Sequence, residues 1–276
     1  MVGTDEVRKI GEEHEAVLRS LLSPEESARY LRSMQTAKAM EQAYSFLLAR
    51  ALLRTTLSRY CSDVKPQEWN FIMNEHGKPE IDFDNLKARR IPEQFKSLRF
   101  NLSHCSGMVC CAVSIGRDVG VDSELISTKR RILSIAERFF SEAEFEELKK
   151  IHPDRQQLVF SRLWTLKEAY VKARGLGISG VGLDNFEFTE ASGFIFSLQL
   201  SDNVCRFDRE DSVVSSGDLW KFLIVNPPSV SQSTERNSPA HTVSLAVGGQ
   251  EPFELVCLKT VPCHVTPDVL LDPRST

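Results

Sequence analysis

Long apolar runs are missing from this 276-residue sequence. No stretch of about 18 apolar residues occurs, so no segment reads as a transmembrane span. Asp5 and Glu6 stand where a secretory signal is basic and then apolar, and the chain is predicted to be cytoplasmic. Closely paired cysteines are missing too. The seven cysteines, at 61, 105, 110, 111, 205, 257 and 263, are odd in number and form no CxxC, which argues against a disulfide framework and fits a reducing compartment. Nor is there a basic excess: 34 Lys and Arg stand against 38 Asp and Glu, a net charge of −4. A whole-surface nucleic-acid binder is disfavoured by that balance. No periodic repeat marks an internal duplication.

What is present is enough chain for one large or two small domains, and near 300 residues about 75% of the extended surface can be buried without metals or disulfides. Charge is unevenly placed. Between Arg29 and Arg99 there are 13 basic and 8 acidic residues, a net of +5, so the acid excess lies elsewhere. A positive half beside a carboxylate-bearing half suits an anionic substrate with a divalent cation, although ordinary surface charge can distribute the same way.

Ser23-Pro24-Glu25-Glu26 reads as a cap serine, a proline at the first helical position and acids in the first turn, predicting a helix to about Met34. A second helix is predicted from about Thr36 to Arg59, with Lys38, Arg50 and Arg54 on its surface. Strands are predicted at 69–73, 100–104, 108–115 and 119–122. Helices follow at 134–140, at 142–150 behind the capping box Ser141 to Glu144, and at 158–174, with His152-Pro153-Asp154 as an interruption. Strands at 186–188, 193–200, 219–225 and 242–247 complete the second half. Residues 227–240 read as a flexible loop, and the tail after Pro262 as loosely attached.

Asp122 and Glu124 lie two apart near a strand end, so strand alternation turns them the same way, where they can share a hard cation. Glu168 and Lys172 share one face of the last long helix, and a plain surface salt bridge is the bland alternative. Lys167 points about 100 degrees round that helix. His104, Cys105, Cys110 and Cys111 could suggest zinc, but alternation sends Cys110 and Cys111 to opposite faces.

Two distant segments then act together: Gly120-Val121-Asp122-Ser123-Glu124, and Trp164 through Lys172, reading Trp-Thr-Leu-Lys-Glu-Ala-Tyr-Val-Lys. With Gly77-Lys78-Pro79, Phe100-Asn101-Leu102-Ser103-His104, Arg138-Phe139-Phe140-Ser141 and Gly175-Leu176-Gly177, this ordered set resembles the 4'-phosphopantetheinyl transferases. The similarity is to the large monomeric subclass that modifies carrier domains of fatty-acid, polyketide, nonribosomal-peptide and lysine-pathway enzymes, and it spans about residues 20 to 200. Cys105 departs from the pattern, standing where many relatives have a second serine.

The resemblance implies an α+β fold: a pseudo-twofold pair of similar α/β subdomains, 1–117 and 118–276, with the site in the cleft between them. It implies a holo-[acyl-carrier-protein] synthase that moves the 4'-phosphopantetheine arm of coenzyme A to a serine of an apo acyl or peptidyl carrier protein. Mg2+ is the implied cofactor, with Asp122, Glu124 and Glu168 as its ligands. Glu168 is the implied base, and Lys172 the group that stabilises the leaving phosphate. Lys78, Ser103, His104 and Lys167 are implied phosphate-side contacts. Arg32, Lys38, Arg50 and Arg54 are candidates for the adenine or 3'-phosphate end. An apolar and basic surface near Phe139, Phe140 and Lys149 is the implied carrier contact, with no nucleic-acid or membrane partner. A metal-dependent phosphohydrolase and a non-catalytic carrier-binding module are the competing readings.

Overall fold

The computed structural model describes residues 12–34, 37–86, 91–126, 131–177, 182–192, 195–200, 220–225, 241–249, 251–260 and 269–271. The 227–240 loop predicted from sequence lies outside these residues. No helix among them is long and apolar enough to cross a membrane.

The first half opens with helices α1 (Glu12–Ser20), α2 (Pro24–Ser33) and α3 (Ala37–Tyr60). α2 starts where its signals put it: Ser23 Oγ accepts from the Glu26 N–H at 3.3 Å while Glu26 Oε2 accepts from the Ser23 N–H at 3.1 Å. α3 departs from expectation. Its middle is buried on more than one side, with Ala43, Leu47 and Leu48 against α1 and α2, and Leu53 and Leu57 against Trp69, Leu98 and Phe100. Arg54, expected on its surface, is 1% exposed. Its guanidinium donates to the Pro66 and Trp69 carbonyls, both at 2.8 Å, and to Glu26 Oε2 at 2.8 Å, so burial leaves the charge paired and the Nε and Nη1 donors bonded. A short hairpin, β1 (Phe71–Met73) with β2 (Pro79–Ile81), follows. Then β3 (Leu98–Cys105) pairs antiparallel with β4 (Met108–Ile115), closed by a two-residue turn in which Gly107 has φ 84°.

The second half is a five-stranded antiparallel sheet of β5 (Val119–Leu125), β6 (Phe186–Ser192), β7 (Ile195–Leu200), β8 (Trp220–Val225) and β9 (His241–Gly248), in the order β5-β9-β8-β7-β6. Helices α4 (Ile132–Phe139), α5 (Glu142–Lys150) and α6 (Pro153–Arg174) lie between β5 and β6 in the chain. His152-Pro153-Asp154 is not an interruption but the start of α6. Pro153 takes the first helical position, where a missing N–H costs nothing, and the His152 side chain accepts from the Asp154 N–H. The tail is also tied down in part: β11 (Val269–Leu271) pairs antiparallel with β10 (Cys257–Lys259), giving local backbone partners to a segment expected to be loose.

Each half thus sets one long helix against antiparallel strands, and the class is α+β. The halves meet along β3 and β5 through side chains. The Val121 N–H donates to Asn101 Oδ1 at 3.0 Å, and the Ser123 N–H to Ser103 Oγ at 3.1 Å. Asn101 and Ser103, two apart on β3, therefore satisfy edge amides of β5 that would otherwise be buried without acceptors.

Candidate active site

Gly120 decides how close α6 comes to β5. A Cβ built there would lie 1.9 Å from the Ala169 carbonyl oxygen and 2.6 Å from the Ala173 nitrogen, so only glycine lets the helix rest on the strand backbone. Thr165 Oγ1 and Ser244 Oγ, 2.7 Å apart, pin the same helix to β9. With α6 seated there, the face carrying Glu168 and Lys172 meets the Asp122 and Glu124 end of β5.

Lys172 Nζ donates to Asp122 Oδ1 at 2.5 Å and to Ser103 Oγ at 3.2 Å, and Ser103 Oγ–H donates to the same Asp122 oxygen at 2.9 Å. One serine from the first half thus meets an acid and a lysine from two elements of the second. Asp122 and Glu168 are buried, Glu124 is half-buried, and the Lys172 side chain keeps 30% of its surface exposed. The Glu168 carboxyl is pushed up to about 7, first by burial and then by the negative charge of Asp122 and Glu124, with Lys172 opposing. The three acids therefore feel one another.

Among the described residues no three His, Cys, Asp or Glu side chains stand gathered as a finished metal cage, and Lys172 is bound to an Asp122 oxygen. The donor set nevertheless fits a hard divalent cation. It consists of carboxylates without thiolate, and three acids stand near one lysine, a negative excess that adds to burial in raising the Glu168 carboxyl.

A family model described as the 4'-phosphopantetheinyl transferase superfamily matches residues 118–215, the stretch that carries Asp122, Glu124, Glu168 and Lys172. The Bacillus subtilis (strain 168) 4'-phosphopantetheinyl transferase Sfp is 31% identical over 196 residues, 71% of this chain and 79% of Sfp. The chain belongs to the 4'-phosphopantetheinyl transferase superfamily. HetI, a 4'-phosphopantetheinyl transferase of Nostoc sp. (strain PCC 7120), is 36% identical over 50% of this chain, a match that spans 55% of HetI's own length. The crystal structure of Thermotoga maritima holo-[acyl-carrier-protein] synthase overlaps 52% of this chain and 69% of its own at 20% identity and a TM-score of 0.32, too slight a likeness to bear on the fold.

The remaining residues named from the transferase resemblance fall into different places. Lys167 does not reach the acid cluster. It is fully buried on another face of α6, where Nζ donates to Glu144 Oε2 at 2.7 Å and to the Leu183 and Phe186 carbonyls at 2.8 and 2.5 Å. The expected phosphate contact is thus a structural lysine, drawn inward because its partners lie on α5 and at the start of β6. Arg50 is engaged by Glu26 and lies over the Phe71 ring, and Arg54 is buried in the same network. Neither guanidinium is presented for a nucleotide, since the capping acid of α2 takes both. Arg32 is exposed in the last turn of α2, and the Lys38 side chain lies outside the described residues. Lys78 donates to the Ala173 carbonyl at 2.6 Å.

His104 is exposed on β3, next to Ser103. Desolvation, then the Lys172 charge, lower its pKa from the ordinary value, with Asp122 opposing, so the charged imidazole considered from sequence is disfavoured in the ligand-free site. Cys105 is half-buried, its thiol pushed up to about 12 mainly by burial, and packs as an apolar group against the Met108 and Cys110 cluster. Of the carrier-contact candidates, Phe140 is core, stacked on Phe160 at 5.3 Å. Phe139 is half-buried with Arg138 over its ring, and Lys149 is exposed and paired with Glu146. Sequence reasoning missed Gly120 as the seat of α6 and Asn101 as the seam between halves. The alternation of Asn101 and Ser103 on one strand face was the available signal for the seam.

Proposed function

We propose that the chain transfers the 4'-phosphopantetheine arm of coenzyme A to a serine hydroxyl of an apo acyl or peptidyl carrier protein, releasing 3',5'-bisphosphoadenosine. The observation that carries this reading is the meeting of Ser103, Asp122, Glu168 and Lys172 across the two halves, in a chain of this family. Both halves contribute to one site within one chain, which supports a monomeric enzyme divided at about residue 117, and its cytoplasmic location is part of the same reading.

In the reaction the carrier serine oxygen forms a bond to the β-phosphorus of coenzyme A, and the bond from that phosphorus to the bridging oxygen breaks. The serine proton passes to Glu168, directly or through water. The place of Glu168 on α6, on the face that carries Lys172 and meets Asp122, is what supports that role; the raised pKa belongs to the metal-free site, where burial and acidic neighbours cause it. Lys172, whose side chain is 30% exposed, can exchange Asp122 for the departing phosphate and stabilise the charge developing there. Ser103 orients both, and His104 beside it can donate to a phosphate oxygen. Asp122, Glu124 and Glu168 are the residues that would hold Mg2+, whose contribution when bound is to offset charge on the pyrophosphate. The exposed Arg32 and the Arg138 to Phe139 surface are the remaining candidates for nucleotide and carrier contact.

The test is incubation of the purified chain with coenzyme A, Mg2+ and an apo carrier, followed by intact mass. A carrier gain of one phosphopantetheine group supports transfer. Phosphate release with an unmodified carrier would assign a hydrolase, and carrier binding without a mass change would assign a docking module.

A further inference from the structure

The turn between β1 and β2 belongs to the first half, yet its polar groups end on the last turn of α6. Lys78 Nζ donates to the Ala173 carbonyl at 2.6 Å, and Asn74 Nδ2 donates to the Gly175 carbonyl at 3.0 Å. These lie at the end of the helix, where carbonyls lack intrahelical donors. Helices commonly meet that need with their own C-terminal residues. Here a hairpin some 100 residues earlier in the chain meets it.

The turn is held together from within. Asn74 Oδ1 accepts from the Lys78 N–H at 2.8 Å and from the His76 N–H at 3.0 Å. The Asn74 N–H donates to the Lys78 carbonyl at 2.9 Å, and Gly77 has φ 83°. Asn74 therefore shapes the turn with one side-chain atom and grips the helix with the other. Gly175 is the seat it grips. This residue has φ 68°, and a Cβ there would lie 2.7 Å from Lys78 Cδ and 2.9 Å from Asn74 Nδ2. Glycine is required both by the left-handed backbone and by the approach of the hairpin. The Lys78 ammonium also lies at the negative end of the helix dipole.

We propose that the Asn74–Lys78 turn is a positioning clamp for α6. It fixes the last turn of that helix against the first half, and so holds Lys172, three residues before Gly175, where Ser103 and Asp122 receive its ammonium. The catalytic consequence rests on the transfer reading, whereas the clamp is a property of the ligand-free chain. The assignment changes what Lys78 is for: its partner is a helix carbonyl, with Asn74 as its companion, and it acts on the reaction through Lys172.

Two measurements decide it. Hydrogen exchange of the ligand-free full chain follows the amides of residues 171–175 in the wild type and in Asn74→Ala, Lys78→Met and Lys78→Arg. Loss of one clamp bond is expected to speed exchange there about tenfold in Asn74→Ala and Lys78→Met. Lys78→Arg, which still donates, should restore slow exchange. Steady-state transfer should then show kcat lowered about tenfold in each of the first two, with the KM for coenzyme A within about twofold, and the double variant no worse than the worse single. Unchanged exchange in both Asn74→Ala and Lys78→Met would overturn the clamp. So would a raised coenzyme A KM at full kcat confined to Lys78→Met, which would make Lys78 a ligand contact alone. If the wild type modifies no carrier, the transfer reading fails on that result, and exchange still decides the clamp.

Discussion

Lys167 and Lys172 lie on one helix, and each meets a carboxylate, at 2.7 and 2.5 Å, yet they belong to opposite kinds of site. The Lys167 and Glu144 side chains are 0% and 5% exposed. Lys167 also donates to two carbonyls and lies near the Phe140 and Phe186 rings, and Glu144 also accepts from the Ser141 and Phe188 amides. Lys167 contacts one carboxylate, Glu144, while the more distant Glu187 and Asp184 also act on its charge, and the polar atoms of the pair are widely engaged. At Lys172 the account does not balance: Glu168 and Glu124 add negative charge around a pair whose lysine is partly open to solvent. A closed pair, sealed from solvent on both sides, gives a ligand no way in. An open pair with surplus charge lowers its energy by taking up a cation or exchanging a partner, and that difference separates scaffold from site more surely than the residue types do.

The sharpest way to break this contrast is Lys167→Met. It leaves Glu144 buried without its counter-charge, and urea unfolding should show a loss of about 3–5 kcal/mol. Lys172→Met should cost less stability, because this lysine side chain is 30% exposed where Lys167 is fully buried, but should lower kcat for transfer by about 100-fold or more, as removal of a charge-stabilising donor does. If the two variants exchanged these phenotypes, the division between scaffold and site would be wrong.

Next in size is a pH effect in metal-free protein. The folded chain holds the Glu168 proton up to about 7 against an ordinary 4.5, so unfolding releases a proton between those values and stability falls as pH rises. The contribution is complete below the unfolded pKa and lost as pH rises through the folded one. Its size is of order 1–3 kcal/mol, and Glu168→Gln should flatten the slope in melts taken across that range. Added Mg2+ should raise the melting temperature at pH 7 in the wild type and lose that effect when Asp122 and Glu168 are both amidated, as mass action on the folded state requires. The smallest effect is expected at Lys149. Its exposed pair with Glu146 contributes less than about 0.5 kcal/mol, so Lys149→Glu should leave the melt unchanged while raising the KM for an acidic carrier.

Local signals in the sequence located much of the fold. Ser23 and Ser141 form the capping boxes their spacing announces, and β4 occupies the apolar run from Met108 to Ile115. These features depend on neighbours within a turn or a strand, and such neighbours are visible in order. Asp122, Glu168 and Lys172 were legible as a set through the family motifs, and the structure brings them together. The burial of Arg54 and Lys167 was not legible. Their partners, Glu26 and Glu144, stand 28 and 23 positions away in the chain, and nothing local marks which acid will face which base. Lys78 is the same case at greater range, because a basic residue beside a glycine and a proline gives no sign that its ammonium will find a helix carbonyl.

The order of residues by itself determined the capped starts of α2 and α5, the core strands, and the acids and lysines available for phosphate chemistry. Tertiary structure alone decided which charges were neutralised and which were left in surplus. Charge energy depends on distance and desolvation between groups that the chain keeps far apart, and only the seating of α6 on β5, with β3 beside it, fixes those quantities.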